Sequence, residues 1–306
     1  MAKSVIHIGA NKTGSTTLQR CLFSVCPEIS YLGEDCLDYE KYKVILNSLV
    51  SDDGIHFYYH QTKKLFEKFT QTNGSKTFLY SNEDIMTSRV PTQCAKRLFD
   101  FMPDAEILLV IRNQLTAVPS IYANHGAFLK NVPKKYWRRF VSFDDWMNYC
   151  MAFTNYSYLD SFFYHRILNL YENFFGRDKI KILMYEDFLN NKEKFISDIS
   201  DILRINKSNA LSLLEGKRER KRYTQREYQY HKFRSSFFWG RSISRIFPFG
   251  EKLKKSWENF LAGGKPIDGF MTECWREKIT KLYKTDNTKL AEVYNLSLDK
   301  YGYPVV

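Results

Sequence analysis

The stretch Ser4-Val5-Ile6-His7-Ile8-Gly9-Ala10-Asn11-Lys12-Thr13-Gly14-Ser15-Thr16-Thr17-Leu18-Gln19 decides how the chain folds. Ser4 to Ile8 is a short apolar run with one histidine, the pattern of a buried strand, and His7 reads as a strand residue and not as a catalyst. After the loop, Leu18, Cys21, Leu22 and Val25 recur at helical spacing and mark one apolar face. Strand, tight loop and helix in succession aim several backbone N–H groups and the positive end of a helix at one point, which makes an anion site. Gly9 and Gly14 let the backbone come close to a ligand or adopt positive φ. Thr13, Ser15, Thr16 and Thr17 add hydroxyl donors, and Lys12 adds a full charge.

Outward from this loop, apolar strand runs alternate with helical periodicity. Ile29–Gly33 reads as a short strand, 38–49 and 60–69 as helices, and Lys76–Ser81 as a second core strand ending at Asn82-Glu83-Asp84. A helix from Pro91 to Phe101 precedes Ala105–Ile111, whose continuous apolar run predicts a strand buried on both faces. Helices are expected at 115–125, 143–153, 159–175 and 192–203, with a further strand at Ile180–Met184. This alternation predicts an α/β fold, a P-loop-like parallel sheet flanked by helices, with a C-terminal helical extension. One domain is expected over 1–306, with an α/β core at 1–205 and a basic, aromatic, mainly helical extension at 206–306. Ligands of such sheets bind beyond the carboxyl ends of the strands. Lys12, Glu83, Arg112 and Tyr185 all follow strands directly, so they are expected in one crevice.

Composition narrows the class. With 306 residues, 44% of them hydrophobic, the chain can bury a sizeable core. No run approaches the roughly eighteen apolar residues of a membrane span, and no charged-then-apolar leader is visible. Six scattered cysteines without a Cys-x-x-Cys pair read as reduced, mostly buried thiols, which points to a cytoplasmic setting; no metal cluster is expected. The net charge of +12 is concentrated: between Lys217 and Lys255 there are thirteen Lys or Arg against three Glu. Such a patch implies an anionic partner: a nucleotide, an anionic glycan, nucleic acid, or an anionic membrane met at its inner face.

The frame Gly-x-x-x-x-Gly-Ser-Thr resembles the P-loop of nucleotide triphosphatases, but the lysine sits inside the loop at Lys12, with Ser15 in its usual place. Lys-Thr-Gly-Ser-Thr after a strand resembles the 5′-phosphosulfate loop of sulfotransferases that use 3′-phosphoadenosine 5′-phosphosulfate (PAPS). With His-Ile before the loop and Leu-Gln after it, the resemblance is closest to carbohydrate sulfotransferases, bacterial ones included. In that family an arginine at a strand end and a serine eight residues on hold the 3′-phosphate, and Arg112 and Ser120 match the spacing. A dianionic phosphate needs a guanidinium fork and a hydroxyl donor; the alternative for Arg112 is a strand-end salt bridge. Asn11 and Gln114 stand where the family often has proline, a departure that touches loop stiffness more than ligand chemistry. Tyr185 matches a tyrosine near the adenine, with a packing role, and Asp187 as a helix cap, as the alternative. The run Leu282–Ala291 and the ending Tyr301-Gly302-Tyr303-Pro304 also resemble bacterial members.

The resemblance implies in-line sulfuryl transfer from PAPS as co-substrate, leaving 3′,5′-adenosine bisphosphate, with no metal required. The acceptor would be a hydroxyl or amine of a glycan or glycolipid. Lys12 would neutralise charge at the bridging oxygen. Glu83 is the candidate base, with capping or pairing to Arg89 as its structural alternative, and His125 is its rival. Lys217 or Arg218 would close over the 3′-phosphate. The other function classes to weigh are a P-loop kinase or NTPase, with Asn82-Glu83-Asp84 as its nearest magnesium site, and a non-enzymatic binder of nucleic acid or anionic membrane through residues 217–255.

Overall fold

The structure is a computed structural model. It describes residues 3–36, 39–51, 54–55, 57–71, 76–127, 139–154, 157–216, 224–236, 251–265, 267 and 269–306. The chain forms two compact units. The first comprises Met1–Gln114, Asp160–Glu219 and Lys281–Val306; the second comprises Leu115–Leu159 and Arg220–Thr280.

The first unit holds a five-stranded sheet of β1 (Ser4–Gly9), β2 (Ile29–Gly33), β3 (Thr77–Ser81), β4 (Glu106–Ile111) and β5 (Ile180–Met184). The order is β2-β3-β1-β4-β5 and every pairing is parallel. β1 is therefore central, flanked by β3 and β4, the two strands that end in Glu83 and Arg112. Helices cover the sheet, among them α1 (Ser15–Leu18), α2 (Tyr39–Val50), α3 (Tyr59–Gln71), α4 (Pro91–Phe101), α7 (Tyr164–Phe175), α8 (Tyr185–Asn190), α9 (Lys192–Leu203) and α10 (Lys207–Leu214). One core cluster joins Val5, Leu79, Leu108 and Val110 to Leu22, Phe195, Ile199 and Leu203. The predicted parallel α/β architecture is the one observed. The second unit carries α5 (Gln114–Ile121) from Leu115 onward, α6 (Phe143–Ala152) and two later helices, Gln225–Ser236 and Glu251–Ala262. Among the described residues no helix is long and apolar enough to cross a membrane.

Three local expectations differ from the structure for physical reasons. After α1 the helix widens into a π turn, Gln19–Phe23. Each π turn takes an extra residue, so the buried face runs through Leu18, Cys21, Leu22 and then Cys26, and Val25 is rotated out to 51% exposure. The helix expected from Leu115 to His125 is α only through Ile121, with Pro119 inside it, and continues as a π turn, Tyr122–Gly126. The helix expected from Leu159 begins at Tyr164, where the Asp286 carboxylate accepts the N–H groups of His165 (3.0 Å) and Arg166 (3.2 Å). A side chain from the far end of the chain thus satisfies the open donors of that helix start.

The end of β4 is fixed the same way. Gln114 and Asn287, both fully buried, pair reciprocally: Gln114 Nε2 donates to Asn287 Oδ1 at 2.8 Å, and Asn287 Nδ2 donates to Gln114 Oε1 at 3.1 Å. Gln114 also reaches the carbonyl of Phe162, and Asn287 that of Pro304. This accounts for a glutamine where the resembling family often has proline: its amide ties the strand end to the C-terminal segment. Asn287→Leu keeps the number and branching of side-chain heavy atoms but leaves the Gln114 amide and the Pro304 carbonyl buried without this partner. The expected loss is about 2–4 kcal/mol, read as a lower urea midpoint at unchanged slope; an unchanged midpoint would mean the pair is not structural.

Candidate functional site

The loop after β1 is built on one carbonyl. Ala10 N donates to Val110 O at 3.0 Å, which pins the loop to β4. Ala10 O then accepts two hydroxyls, Thr13 Oγ1 at 2.6 Å and Ser15 Oγ at 3.0 Å. Both side chains are buried and 3.2 Å from each other, so they staple the loop from inside. Lys12 (φ 67°) and Gly14 (φ 82°) are left-handed on either side of Thr13. That alternation turns successive N–H groups toward one side, the geometry of an anion nest. A left-handed lysine is an unfavourable backbone state that the surrounding bonds must hold. Gly14 precedes α1, and a Cβ there would stand 3.2 Å from the Tyr185 ring, so the position excludes larger residues twice over. Lys12 and Thr16 are half-buried, and Thr17 is buried.

Arg112 meets this loop from β4. Its Nη1 donates to Lys12 O at 2.8 Å, and its guanidinium lies 4.9 Å from the centre of the Tyr185 ring. The two predicted phosphate motifs, a hundred residues apart, therefore touch, with Tyr185 against both. The Arg112 backbone is clamped by the buried Tyr164, whose hydroxyl accepts from Arg112 N at 3.2 Å and donates to Arg112 O at 2.8 Å. Burial raises the Tyr164 phenol well above its ordinary range, so it stays a neutral donor. Next along, Asn113 N donates to Glu186 Oε1 at 2.9 Å, and Tyr303 Oη donates to Glu186 Oε2 at 2.8 Å. Asp187 is bound by Tyr301 Oη and by Lys194 Nζ, while Asn191, not Asp187, caps α9.

Glu83 opens a single 3₁₀ turn, Glu83–Ile85, capped by Asn82. Asn82 N donates to His7 O at 3.1 Å, which extends the β1–β3 ladder to the foot of that turn. A Cβ added at Gly9 (φ 120°) would meet Met86 Cγ at 3.1 Å and Glu83 Cα at 3.8 Å, so this turn lies directly against the start of the loop. Beyond β2 and β3 opens a polar cleft of about 640 Å³ lined by Glu34, Asp35, Tyr39, Lys43 and Asp84, among others. Among the described residues no three His, Cys, Asp or Glu side chains stand together as metal ligands.

Lys12, Thr13, Gly14, Ser15, Thr16, Thr17, Glu83, Arg112 and Tyr185 thus all lie in the first unit, at the carboxyl ends of β1, β3, β4 and β5. Ser120, on α5, and His125, in the π turn Tyr122–Gly126, belong to the second. Lys217 and Arg218 lie outside the described residues.

Below the loop lies a buried relay that the sequence did not single out. Gln19 Nε2 donates to Ser81 Oγ at 3.1 Å, and the Ser81 hydroxyl stands 2.8 Å from His7 Nδ1. Either His7 Nδ1 or the Ser81 hydroxyl can donate in this bond, and among the described residues His7 Nε2 has no partner in hydrogen-bond geometry. Burial lowers the His7 pKa from 6.5 to about 4, with the nearby Gly9 backbone opposing weakly. The ring is neutral near pH 7, and through Ser81 and Gln19 it links β1, the helical turn after the loop, and the strand that leads to Glu83. The signal for it was present, since a histidine inside an apolar strand needs a polar partner.

The chain is similar in fold to a solved sulfotransferase from Alicyclobacillus acidocaldarius. The TM-score is 0.54 at 16% sequence identity, and the match covers 98% of this chain and 99% of that one. At that identity the likeness establishes a common fold. No protein-family model matches the chain, and a search of curated proteins finds no match.

The relay has a pH signature. Between pH 6.5 and about 4 the unfolded chain binds a proton at His7 that the native chain does not, so His7 lowers stability as pH falls through that window. The total is about 3 kcal/mol, with little change on either side. His7→Gln removes the titration. The stability advantage of wild type over this variant, from urea midpoints, should shrink from about pH 7 to about pH 4.5; a constant difference would refute a buried neutral His7.

Proposed function

We propose that the chain is a PAPS-dependent sulfotransferase whose acceptor is a hydroxyl or amine of a glycan or glycolipid. The observation that carries the reading is the bond from Arg112 to the Lys12 carbonyl. It joins, at one spot, a loop suited to a 5′-phosphosulfate and an arginine suited to a 3′-phosphate. A fold held in common with a known sulfotransferase is consistent with it. PAPS here is a substrate, and its anionic groups are what these residues would bind.

In this reading the acceptor oxygen or nitrogen attacks sulfur in line. The new bond to sulfur forms as the bond from sulfur to the 5′-phosphate oxygen breaks, and 3′,5′-adenosine bisphosphate leaves. Negative charge grows on the bridging oxygen, where Lys12 and the loop N–H groups neutralise it. Arg112 holds the 3′-phosphate, its fork supplying the directional donors that a lysine would lack, and the resemblance assigns a hydroxyl donor to Ser120. Tyr185, against both motifs, contributes the stacking surface for the base. Glu83, beside the loop, takes the acceptor proton, and His125 is the rival base. Lys217 or Arg218 closes over the 3′-phosphate. The cleft beyond β2 and β3, with carboxylates and ammonium groups, suits a polyhydroxyl ring that hydrogen-bonds to both kinds of group.

Calorimetric titration with 3′,5′-adenosine bisphosphate, without metal, should show tight binding that falls roughly ten- to a hundredfold in Arg112→Ala and is only partly restored in Arg112→Lys. Preference for ATP with magnesium would replace this reading with a kinase. With PAPS and a glycan acceptor pool, Lys12→Ala should lower kcat about a hundred- to a thousandfold while the bisphosphate still binds. Full activity in that variant would remove the mechanism. Glu83→Gln should abolish the acidic limb of the pH–rate profile; if His125→Asn does so instead, the base is His125.

A further inference from the structure

The second unit carries a surface that sulfuryl transfer does not use. On the helix Glu251–Ala262, Leu261 is buried, yet Trp257 and Phe260 stand 48% and 53% exposed. Their rings stack on each other, centroids 5.5 Å apart and planes at 25°. Tyr230, from the helix Gln225–Ser236, sets its ring at 73° to Trp257 at 5.8 Å. The Arg226 guanidinium covers Phe260 at 4.5 Å and donates from Nη1 to the Phe260 carbonyl. Phe233, on the same helix as Tyr230, is 66% exposed. Exposed Lys232, Lys255 and Lys265 lie in the same unit, with exposed Glu258 as the opposing charge.

We propose that this aromatic ridge docks the protein on an anionic lipid bilayer. The choice of partner follows from the ring geometry. Single-stranded nucleic acid and sugars need open aromatic faces on which to stack. Here Phe260 has Trp257 near one face and Arg226 over its ring, and Trp257 is flanked by Phe260 and Tyr230. The half-exposed rings and the Arg226 guanidinium over Phe260 together make an apolar ridge that carries a cation. That is the arrangement of an interfacial helix, with rings at the acyl boundary and Lys or Arg at the lipid phosphates. Arg226 on the ridge, with exposed Lys232, Lys255 and Lys265 in the same unit, supplies the complementary charge. The inference does not rest on the sulfotransferase reading.

The test is sedimentation of the full chain with vesicles of phosphatidylcholine, alone or with phosphatidylglycerol added. The anionic vesicles should bind at least about tenfold more tightly. The double variant Trp257→Ser/Phe260→Ser, both at exposed positions, should keep its circular dichroism and urea midpoint but lose on the order of tenfold or more in vesicle affinity. Lipids brominated in the acyl chain should quench tryptophan emission in wild type and less in Trp257→Phe. Absence of binding, full binding by the double variant, or lack of Trp257 quenching would each overturn the proposal. Displacement from vesicles by a single-stranded oligonucleotide, without such quenching, would reassign the ridge to nucleic acid.

Discussion

A guanidinium that donates to a carbonyl of the loop after β1 is the contact around which the first unit is arranged. Arg112 can reach Lys12 only if the end of β4 is held still, and several buried polar groups hold it. Tyr164 grips the peptide of Arg112 from both sides. Glu186 takes the next N–H, and the Gln114–Asn287 pair locks the residue after that. Each of these groups is a liability if left unpaired in the interior and a source of precision when paired. The strand end is therefore a rigid mount, and the arginine side chain is aimed by its backbone.

The loop itself is held differently. Its own hydroxyls, Thr13 and Ser15, converge on Ala10 O and keep Lys12 and Gly14 in left-handed conformations. The loop N–H groups are thereby oriented in advance, the preorganisation that the proposed anion site would need. The His7–Ser81–Gln19 relay beneath adds a second level. It couples the strand before the loop, the helix after it and the strand that delivers Glu83, so these elements keep register with one another.

The fold was legible because its signals are local. Apolar runs bounded by Gly, Asn and Asp marked β1 to β5, and the glycines and lysine between β1 and α1 marked the loop. The meeting of the Lys12 loop with Arg112 was legible too, since parallel strands deliver their following residues to one edge. What escaped was set by distant partners. The start of α7 depends on Asp286, and the role of Gln114 depends on Asn287, neither near it in sequence. The inward turn of Thr13 and Ser15 is a matter of dihedral angles that residue types alone leave open. The π turn that rotates Val25 outward likewise leaves no trace in hydrophobic spacing.

The first unit is assembled from three separate stretches of chain, the last of them Lys281–Val306. That stretch supplies Asn287, Tyr301 and Tyr303, which brace the strand end carrying Arg112, and Asp286, which caps the helix whose Tyr164 clamps it. On the ribosome, the loop and Arg112 emerge well before their braces. A nascent chain with all five strands already made still lacks the fixed arginine. The placement of Arg112 against the Lys12 loop thus waits on closure of contacts of very long sequence separation.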